Sequence, residues 1–252
     1  MTPAKRYCAI IEYDGTDFFG FQLQSKERTV QGEIEKGLGK LRQGPIRVTG
    51  AGRTDAGVHA TGQVISFTIN WRHDTDSLQR AINANLPPDV KVRTVNDVTD
   101  PHFHPRFSAI SRTYHYKIIN QPWPSPIWRH YAYQVPESLN VADMQEASHY
   151  LLGSHDFAAF GKPTQGESTV RHVMLADWFV DEQQQLKFVI TANAFLYRMV
   201  RRIVSTLIQV GLGKMPIEDI DTILKARNLQ GSTPPAPACG LYLVKVSYCD
   251  EI

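Results

Sequence analysis

The sequence predicts an α+β fold made of two βαββαβ halves, each of the ferredoxin or RRM-like kind. Over the first hundred residues, β-forming runs and helical stripes follow one another in the order βαββαβ, and the same order fits the rest of the chain. The 252 residues, 42% of them hydrophobic, suffice for two cores of this size. We therefore expect mainly antiparallel sheets around a central cleft, with domains at residues 1–106 and 107–252.

The elements of the first half follow from local periodicity. Alternation and β-branched residues favour strands, whereas apolar residues spaced three or four apart favour helices. On this basis we predict strands at residues 5–13, 46–48, 64–67 and 90–98, and helices at 30–42 and 77–86, the second capped by Ser77.

The second half has more elements and two polar connections. We predict strands at 111–119, 170–180, 186–192 and 241–248, with 128–135 pairing nearby, and helices at 141–152, 195–212 and 216–225. The two strands at 170–192 form a hairpin around residues 181–185. Residues 161–169 and 228–240 are rich in glycine or proline and look mobile, and the first is either a lid over a site or an ordinary surface loop.

Composition indicates a cytoplasmic protein with reduced thiols. No apolar run approaches the length of a membrane-spanning helix, and residues 1–6 lack the apolar stretch of a signal peptide. The three cysteines form no CxxC pair, and an odd number in a long chain argues against a disulfide framework. We therefore expect a reducing cytoplasm and no membrane partner.

Charge is distributed unevenly, although the net charge is only +2. Residues 101–135 contain no Asp or Glu, but they hold four arginines or lysines, four histidines and eight aromatic residues. Cations neutralise phosphates and aromatic rings stack on unpaired bases, so this composition favours a site for single-stranded or looped RNA. The alternative is a pair of core strands that happens to lack acids.

The strongest local signal is the glycine-rich loop at residues 50–59, Gly-Ala-Gly-Arg-Thr-Asp-Ala-Gly-Val-His, between two predicted strands. Its three glycines let the backbone turn sharply and approach a ligand closely. Arg53 and His59 place donors around the carboxylate of Asp55. Such an aspartate is either a turn-former or a reactive group, and spacing alone leaves both open. The loop matches neither a Walker A loop nor a dinucleotide fingerprint.

This loop is one of five segments that together resemble the tRNA pseudouridine synthase A family. The resemblance is carried by residues 12–16 with 20–22, 52–60, 83–87, 103–109 with 112–116, and 193–201 with 240–243. It runs from the first predicted strand to the last, and the combined order of the segments is highly specific.

The resemblance implies roles for ten residues. Asp55 corresponds to the catalytic aspartate, Arg201 to the arginine that pairs with its carboxylate, and Tyr114 to the ring that stacks on the target uracil. The residues expected to bind substrate or contact tRNA are Arg53, Phe103, His104, Pro105, Arg106, Phe107 and Arg112. There are two minor departures from the family pattern: Pro105 stands where alanine is common, and the loop at residues 161–169 is shortened. The loop difference leaves the details of RNA contact open but does not affect the expected chemistry.

The resemblance further implies a homodimer without a cofactor that converts uridine to pseudouridine in the anticodon stem-loop of tRNA, at positions 38, 39 and 40. The chemistry agrees, because breaking N1–C1′, turning the uracil and joining C5 to C1′ involves no redox change. The Asp55 carboxylate acts either as a nucleophile or as a base toward a ribose proton. The sequence leaves attack at the sugar, attack at the base and elimination open.

Periodicity is compatible with the roles of Arg201 and Tyr114 without requiring them. On a helix over 195–212, Arg201 falls at the border of the apolar face, which suits an arginine that reaches a cleft or one that extends into solvent. Tyr114, Tyr116 and Ile118 share one face of a strand. We expect Tyr114 to stack on the flipped uracil and Tyr116 to pack in the core.

Other functions remain open from the residues alone. The main alternative is a non-catalytic RNA-binding protein of two RRM-like halves, but the chain lacks the RNP1 pattern of such domains. A second is a ligand-binding ferredoxin-like protein or a glycoside hydrolase with carboxylates such as Asp55 and Asp14. His102, His104 and His115 lack the paired ligand motif of a zinc site, so we expect no metal.

Overall fold

The structure, a computed structural model, describes residues 4–41, 44–164, 166–180, 185–229 and 231–249. The chain groups into two compact units, of which the first comprises residues 1–110 with 242–252 and the second residues 111–241. Strand pairing is mainly antiparallel, and the predicted α+β class is confirmed. The domain division at 106/107 and the central cleft stay predictions.

The described residues form ten strands and five α-helices. In chain order they are β1 (Lys5–Tyr13), α1 (Val30–Leu41), β2 (Thr49–Gly50), β3 (His59–Ile69), α2 (Thr75–Asn83), β4 (Val90–Asp97), β5 (Ser111–Asn120), β6 (Tyr133–Val135), α3 (Val141–His149), β7 (Gly153–Asp156), β8 (Val170–Val180), β9 (Leu186–Ala192), α4 (Met199–Gly211), α5 (Asp219–Ala226) and β10 (Leu241–Ser247).

The first unit has the predicted order βαββαβ and gains β10 from the end of the chain. Its strands lie in the order β4-β1-β3-β10, with β2 also pairing with β3. Neighbouring strands are antiparallel except β10, which runs parallel to β3 with Tyr242 opposite His59. On the apolar stripe of α1, Val30, Ile34 and Leu38 are fully buried, as periodicity predicts, and Leu41 at its end is half-buried.

The second unit arranges its strands in the order β5-β9-β8-β7, with β6 parallel to β5. The elements β5, α3, β8, β9 and α4 follow the predicted order, whereas the last predicted strand, β10, belongs to the first unit. Strand β6 and helix α5 fall within the strand and helix predicted at 128–135 and 216–225, and β7 was not predicted. Tyr116 and Ile118 on β5 are completely buried, which confirms the expectation that Tyr116 packs in the core. The bounds of β8 and β9 match the predicted hairpin strands, while residues 181–184 of its tip lie outside the described residues.

The strand predicted at residues 46–48 is wrong, since the strand in this region is β2, at 49–50. Ile46 and Val48 are buried as expected, but the backbone of Val48 bonds to side chains of α1. Its N–H donates to Glu35 Oε1 over 3.0 Å, and its carbonyl accepts from Gln31 Nε2 over 3.1 Å. The Glu35 and Gln31 side chains therefore satisfy the N–H and carbonyl of Val48, which would otherwise pair with a neighbouring strand.

The predicted cap of α2 is also wrong. The N-cap is Asp74, whose Oδ1 accepts from the Ser77 N–H over 2.6 Å, so the helix begins at Thr75. Ser77 lies within the first turn instead. The helix ends at Asn83 and not at Leu86. The Asn83 side chain bonds the backbone N–H and carbonyl of Val92 and so ties this end of the helix to β4.

Helix α4 begins at Met199, four residues later than predicted. Tyr197 N–H donates to the carbonyl of Lys162 over 2.9 Å, and Arg198 has a left-handed conformation with φ of 60°, so these residues cannot continue a helix. Helices α3 and α5 also differ at their ends, since α3 stops at His149 and α5 begins at Asp219. No helix among the described residues is long and apolar enough to cross a membrane.

Candidate active site

The loop that carries Asp55 is held by backbone hydrogen bonds to the segment that follows β1. Phe21 N–H donates to the carbonyl of Thr54 over 3.1 Å, and Gly57 N–H donates to the carbonyl of Phe18 over 3.2 Å. These bonds flank Asp55 on both sides. We name this arrangement the clasp, meaning residues 18–21 bonded to residues 54–57. It fixes the backbone from which the Asp55 side chain projects.

Gly20 makes the clasp possible. Its φ of +88° lies in the left-handed region, and a Cβ placed on it would sit 2.6 Å from the carbonyl oxygen of Thr54. Any side chain at this position would therefore push the two segments apart. A second link comes from Tyr13, whose hydroxyl lies 2.9 Å from Oγ1 of Thr54, with both side chains buried.

Asp55 opens a β-turn over residues 55–58. The Val58 N–H donates to the Asp55 carbonyl over 3.2 Å, and Gly57, the third residue of the turn, has φ of +77°. A positive φ at that position is what a type II turn requires, which explains the glycine. Asp55 itself is half-buried. The backbone of Asp55 therefore forms the turn, and the residue as a whole remains partly exposed.

His59, at the start of β3, has a structural role next to this turn. Its side chain is buried and stacks on Tyr242 with ring centroids 4.7 Å apart. Its Nδ1 accepts the Gly15 N–H over 3.0 Å, so Nδ1 carries no proton there. The 3.2 Å approach of Asp14 Oδ1 to the same nitrogen is therefore not an ion pair, and Asp14 accepts from the backbone and hydroxyl of Thr16 instead.

Gln63 fixes the other end of the loop. Its side chain is completely buried, its Nε2 donates to the Gly52 carbonyl over 2.7 Å, and its Oε1 accepts the Gly52 N–H over 3.2 Å. This pair of hydrogen bonds replaces the strand partner that Gly52 lacks at that point. The loop is thus anchored before Arg53 by Gln63 and after Thr54 by the clasp.

A cleft of about 240 Å³ opens beside this anchored loop in the first unit. Arg53 contributes from the loop and Gln31 from α1. The lining residues are Phe21, Gln22, Gln31, Val48, Thr49, Gly50, Gly52, Arg53, His104, Arg106 and Phe107. Four residues predicted to bind RNA, namely Arg53, His104, Arg106 and Phe107, therefore lie around one cavity.

The cleft is positively charged and carries an exposed aromatic ring. Burial, and then the charge of Arg53, lower the pKa of Arg106, so the two guanidinium groups act on each other. Phe107 is 67% exposed, and its ring centroid lies 4.4 Å from that of His104. Paired cations beside an exposed ring are what a phosphate and an unpaired base require.

His104 shapes this part of the cleft through its backbone and its ring. Its Nδ1 accepts the N–H groups of Arg106 and Phe107 over 3.1 and 3.3 Å, and its own N–H donates to Ser108 Oγ over 2.9 Å. Burial and the charges of Arg6 and Arg106 lower the pKa of His104. The neutral ring is therefore the form that holds the loop.

Two residues predicted to contact RNA pack inward. Phe103 is 9% exposed, and its ring lies 5.4 Å from that of Tyr248. Pro105 is buried, and its carbonyl accepts the Tyr248 hydroxyl over 2.7 Å. Both residues fix the 103–107 segment to the first unit, where they support the residues that line the cleft.

The remaining predicted site residues belong to the second unit. Arg112, on β5, is 9% exposed, and its Nη1 donates to the Asn193 carbonyl over 2.9 Å. Tyr114, two residues further along the strand, is 8% exposed, and its ring meets Phe195 edge-on at 5.0 Å and 84°. Residues 193–195, which precede α4, thus contact both Arg112 and Tyr114.

Arg201 is half-buried on the first turn of α4 and is tied to the segment before β10. Its Nε donates to the Ala236 carbonyl over 2.6 Å, and its own carbonyl accepts the Ala236 N–H over 3.0 Å. Arg202 reaches Thr233 of the same segment, with Nη1 3.1 Å from its carbonyl. Helix α4 therefore orients the guanidinium of Arg201 and holds residues 233–236.

Sequence reasoning missed the residues that hold the loop. Tyr13 and Gly20 lie in segments that carried the family resemblance, but nothing in their spacing indicated a bond to residue 54. Gln63 was missed because a lone glutamine in a strand gives no signal. Among the described residues, no group of three or more His, Cys, Asp or Glu side chains lies close enough to hold a metal ion.

Comparison with known proteins agrees with this site. A family described as tRNA pseudouridine synthase matches residues 9–108 and 147–249. The tRNA pseudouridine synthase A of Pseudothermotoga lettingae is 41% identical over 245 residues, covering 97% of this chain and all of that protein. Proteins of the same name from Streptococcus suis and from Geobacillus sp. (strain WCH70) are 43% and 42% identical, each over 97% of this chain and 99% of their own length.

An anchored aspartate loop beside a cationic, aromatic cleft suits an enzyme that acts on RNA. The two matched regions and the full-length similarity show which one: the chain belongs to the tRNA pseudouridine synthase family. It is an isomerase, and its reaction is the conversion of uridine to pseudouridine in tRNA.

Proposed function

We propose that the enzyme modifies uridines in the anticodon stem-loop of tRNA, at positions 38, 39 and 40, with Asp55 as its catalytic carboxylate. The observation that carries the role of Asp55 is the clasp, whereas the target positions come from the family. Backbone hydrogen bonds on both sides of Asp55 hold its main chain. The loop therefore loses little conformational freedom when substrate binds. Asp55 is half-buried, and its carboxylate projects from a main chain whose position is fixed.

The isomerisation exchanges one bond of the uridine for another. The N1–C1′ bond breaks, the uracil turns, C5 bonds to C1′, and the proton on C5 leaves while N1 gains one. The Asp55 carboxylate begins this sequence by bonding to the sugar, by bonding to the base or by removing a ribose proton. All three routes release the hydrogen from C5, so tritium release from 5-³H-uridine in tRNA measures the reaction in each case.

The decisive experiment compares Asp55→Asn with Asp17→Asn. Asp17 is exposed in the neighbouring segment, so its variant makes the same change of charge outside the loop. We expect Asp55→Asn to bind tRNA and release no tritium, and Asp17→Asn to retain the wild-type rate. Tritium release by Asp55→Asn would refute the catalytic assignment.

Tyr114 and Arg201 complete the proposed site. The edge-on contact with Phe195 orients the Tyr114 ring, which we propose stacks on the extruded uracil. Tyr114→Phe should then keep more activity than Tyr114→Leu, because only the first retains a flat ring. A leucine variant as active as the phenylalanine variant would contradict stacking.

For Arg201 the proposed partner is the catalytic carboxylate, which a guanidinium keeps ionised. The neighbouring Arg202 provides a matched control, because it bonds the same 232–236 segment. Arg201→Gln should abolish turnover of the folded enzyme, and it should also lower the midpoint of thermal unfolding because the bond from Nε to the Ala236 carbonyl is lost. Arg202→Gln should lower that midpoint and keep the rate of the folded enzyme. Equal loss of turnover in both variants would point to a purely structural Arg201.

Three further features of the proposal come from the family. We propose that the enzyme is a homodimer, that it works in the cytoplasm and that its target is the anticodon arm. Sedimentation of the active enzyme at the monomer mass of 28.4 kDa alone would contradict the dimer. Pseudouridine mapping in tRNA from cells that lack the protein tests the target, and loss at 38, 39 and 40 is the expected result.

A further inference from the structure

Strands β5, β9 and β8 of the second unit present two different faces. On the inner face, Tyr116, Phe188 and Trp178 lie opposite one another in register and are buried. The next residues along these strands form a row on the other face, because successive side chains alternate. That outer row is Lys117, Lys187 and Phe179, again in direct register.

The outer row places like charges side by side. Lys117 and Lys187 are direct cross-strand partners, and Cβ atoms in such pairs are roughly 4.5–5.5 Å apart. Like charges in this relationship destabilise a sheet. An anionic ligand that lies over two neighbouring ammonium groups is attracted by both charges.

Aromatic rings stand at both ends of the lysine pair. Lys187 Nζ lies 5.9 Å from the centroid of Phe179, and Lys117 Nζ lies 5.9 Å from the ring of Trp128. Phe179 is 47% exposed. In space, the order is therefore ring, cation, cation, ring. We name these four residues the lysine–aromatic row: Trp128, Lys117, Lys187 and Phe179.

The surroundings of the row add positive charge and exposed apolar surface. Arg129 is exposed next to Trp128, and Ile127 is 75% exposed. The acid on the same face of β8 is Asp177, whose Oδ1 accepts from Gln145 Nε2 over 2.8 Å. His115, two residues before Lys117 on the same face, has a pKa lowered to about 4 by burial and then by the two lysines. The imidazole is therefore neutral at physiological pH.

We propose that the lysine–aromatic row binds the phosphodiester backbone of the tRNA substrate, with an unpaired base stacked on Phe179, at a part of the tRNA other than the isomerised uridine. Adjacent ammonium groups suit successive phosphates, and an exposed ring suits a base. A second copy of this chain fits poorly, because a symmetric contact across the row would bring four lysines together. The proposal rests on tRNA as substrate and is independent of the role of Asp55.

The test is the double variant Lys117→Ser/Lys187→Ser, with Lys91→Ser/Lys245→Ser as its control. Lys91 and Lys245 are exposed in the first unit, so the control removes the same net charge elsewhere. Dissociation constants for full-length tRNA are measured from 50 to 300 mM KCl, together with single-turnover tritium release at saturating tRNA.

We expect the double variant to bind tRNA at least about tenfold more weakly at the lowest salt. Its log–log salt slope should fall by roughly 1.4 to 1.8, which corresponds to two lost phosphate contacts. The single-turnover rate at saturation should equal the wild-type rate. Phe179→Ala should weaken binding without changing the slope. If the double variant proves unstable, the single variant Lys187→Gln should show about half of the slope change.

Binding by the double variant that matches the control would overturn the proposal. So would a change from dimer to monomer with unchanged tRNA affinity, since that result would assign the row to a second copy. Failure of the Asp55 experiment would leave these binding results untouched, so the two proposals can fail separately.

Discussion

The Tyr13 hydroxyl lies 2.9 Å from Thr54 Oγ1, and both side chains are buried in the first unit. This hydrogen bond joins the last residue of β1 to the residue before Asp55. Together with the clasp, it transmits the rigidity of the sheet to the loop that carries the proposed catalytic carboxylate. It acts on position, because neither group belongs to the reacting atoms.

Removing this hydrogen bond should slow turnover more than it weakens tRNA binding. Tyr13→Phe leaves the Thr54 hydroxyl in a buried site and should lower the free energy of unfolding by about 1 kcal/mol. Single-turnover tritium release should fall roughly 10- to 100-fold, because a displacement of the order of an ångström at a reacting group has that effect. The dissociation constant for tRNA should stay within about twofold.

The matched controls are two substitutions of Thr54. Thr54→Ser keeps the hydroxyl and should retain most of the rate, whereas Thr54→Val keeps the shape and should behave like Tyr13→Phe. A Tyr13→Phe enzyme with the wild-type rate would show that the bond does not position Asp55.

Gly20 gives a second test of the clasp. Gly20→Ala combines a left-handed φ with a Cβ that would lie 2.6 Å from the Thr54 carbonyl oxygen. Gly213 has φ of +66° but open space around the same atom, so Gly213→Ala measures the conformational cost alone. We expect about 1 kcal/mol of lost stability from Gly213→Ala and at least twice that from Gly20→Ala. Only Gly20→Ala should also reduce turnover of the folded enzyme. Equal losses of stability and turnover in the two variants would exclude a steric role for the Cβ at position 20.

Periodicity predicted the elements whose stability comes from burial of one face. Helix α1 and the hairpin strands β8 and β9 appear within a residue of their predicted bounds, because their apolar spacing is the physical cause of the structure. Strand β7 was missed, since Gly153–Asp156 has no β-branched or large apolar residue, and its pairing with β8 depends on backbone bonds.

The candidate site residues were predicted only where the residue type itself carries a signal. Residue types identified Asp55, Arg53 and Arg106 through resemblance and charge. The clasp escaped prediction because it consists of backbone hydrogen bonds between segments more than thirty residues apart, and such bonds leave no mark on side-chain pattern. Phe103 was assigned to RNA contact through the family resemblance, and resemblance alone gave no sign that its ring is buried and packs against Tyr248.

The paired arginines of the cleft should govern its salt dependence. Arg106→Ser should weaken tRNA binding and reduce the log–log salt slope by about 1, as expected for one phosphate contact. Arg72, exposed elsewhere in the same unit, provides Arg72→Ser as the charge-matched control. Equal slopes for the two variants would remove Arg106 from the RNA interface.

His104 gives the first unit a pH-dependent stability whose sign follows from its pKa. Burial first, and then the charges of Arg6 and Arg106, place that pKa below its usual value of about 6.5 in the unfolded chain. Between the two values the unfolded state binds more protons, so stability falls as pH falls. The contribution of His104 is complete above the unfolded pKa and is lost as pH decreases through the folded pKa. Protonation of Nδ1 would break the hydrogen bonds from the N–H groups of Arg106 and Phe107.

His104→Asn isolates this effect, because an amide oxygen accepts the same N–H groups and does not titrate. Thermal unfolding midpoints measured from pH 8 to pH 5 should fall more steeply for wild type than for His104→Asn, with the difference developing below pH 6.5. All other titratable groups are the same in the two proteins, so their contributions cancel in the difference. Parallel curves for the two proteins would show that the histidine is not held in its neutral form by the 104–107 turn.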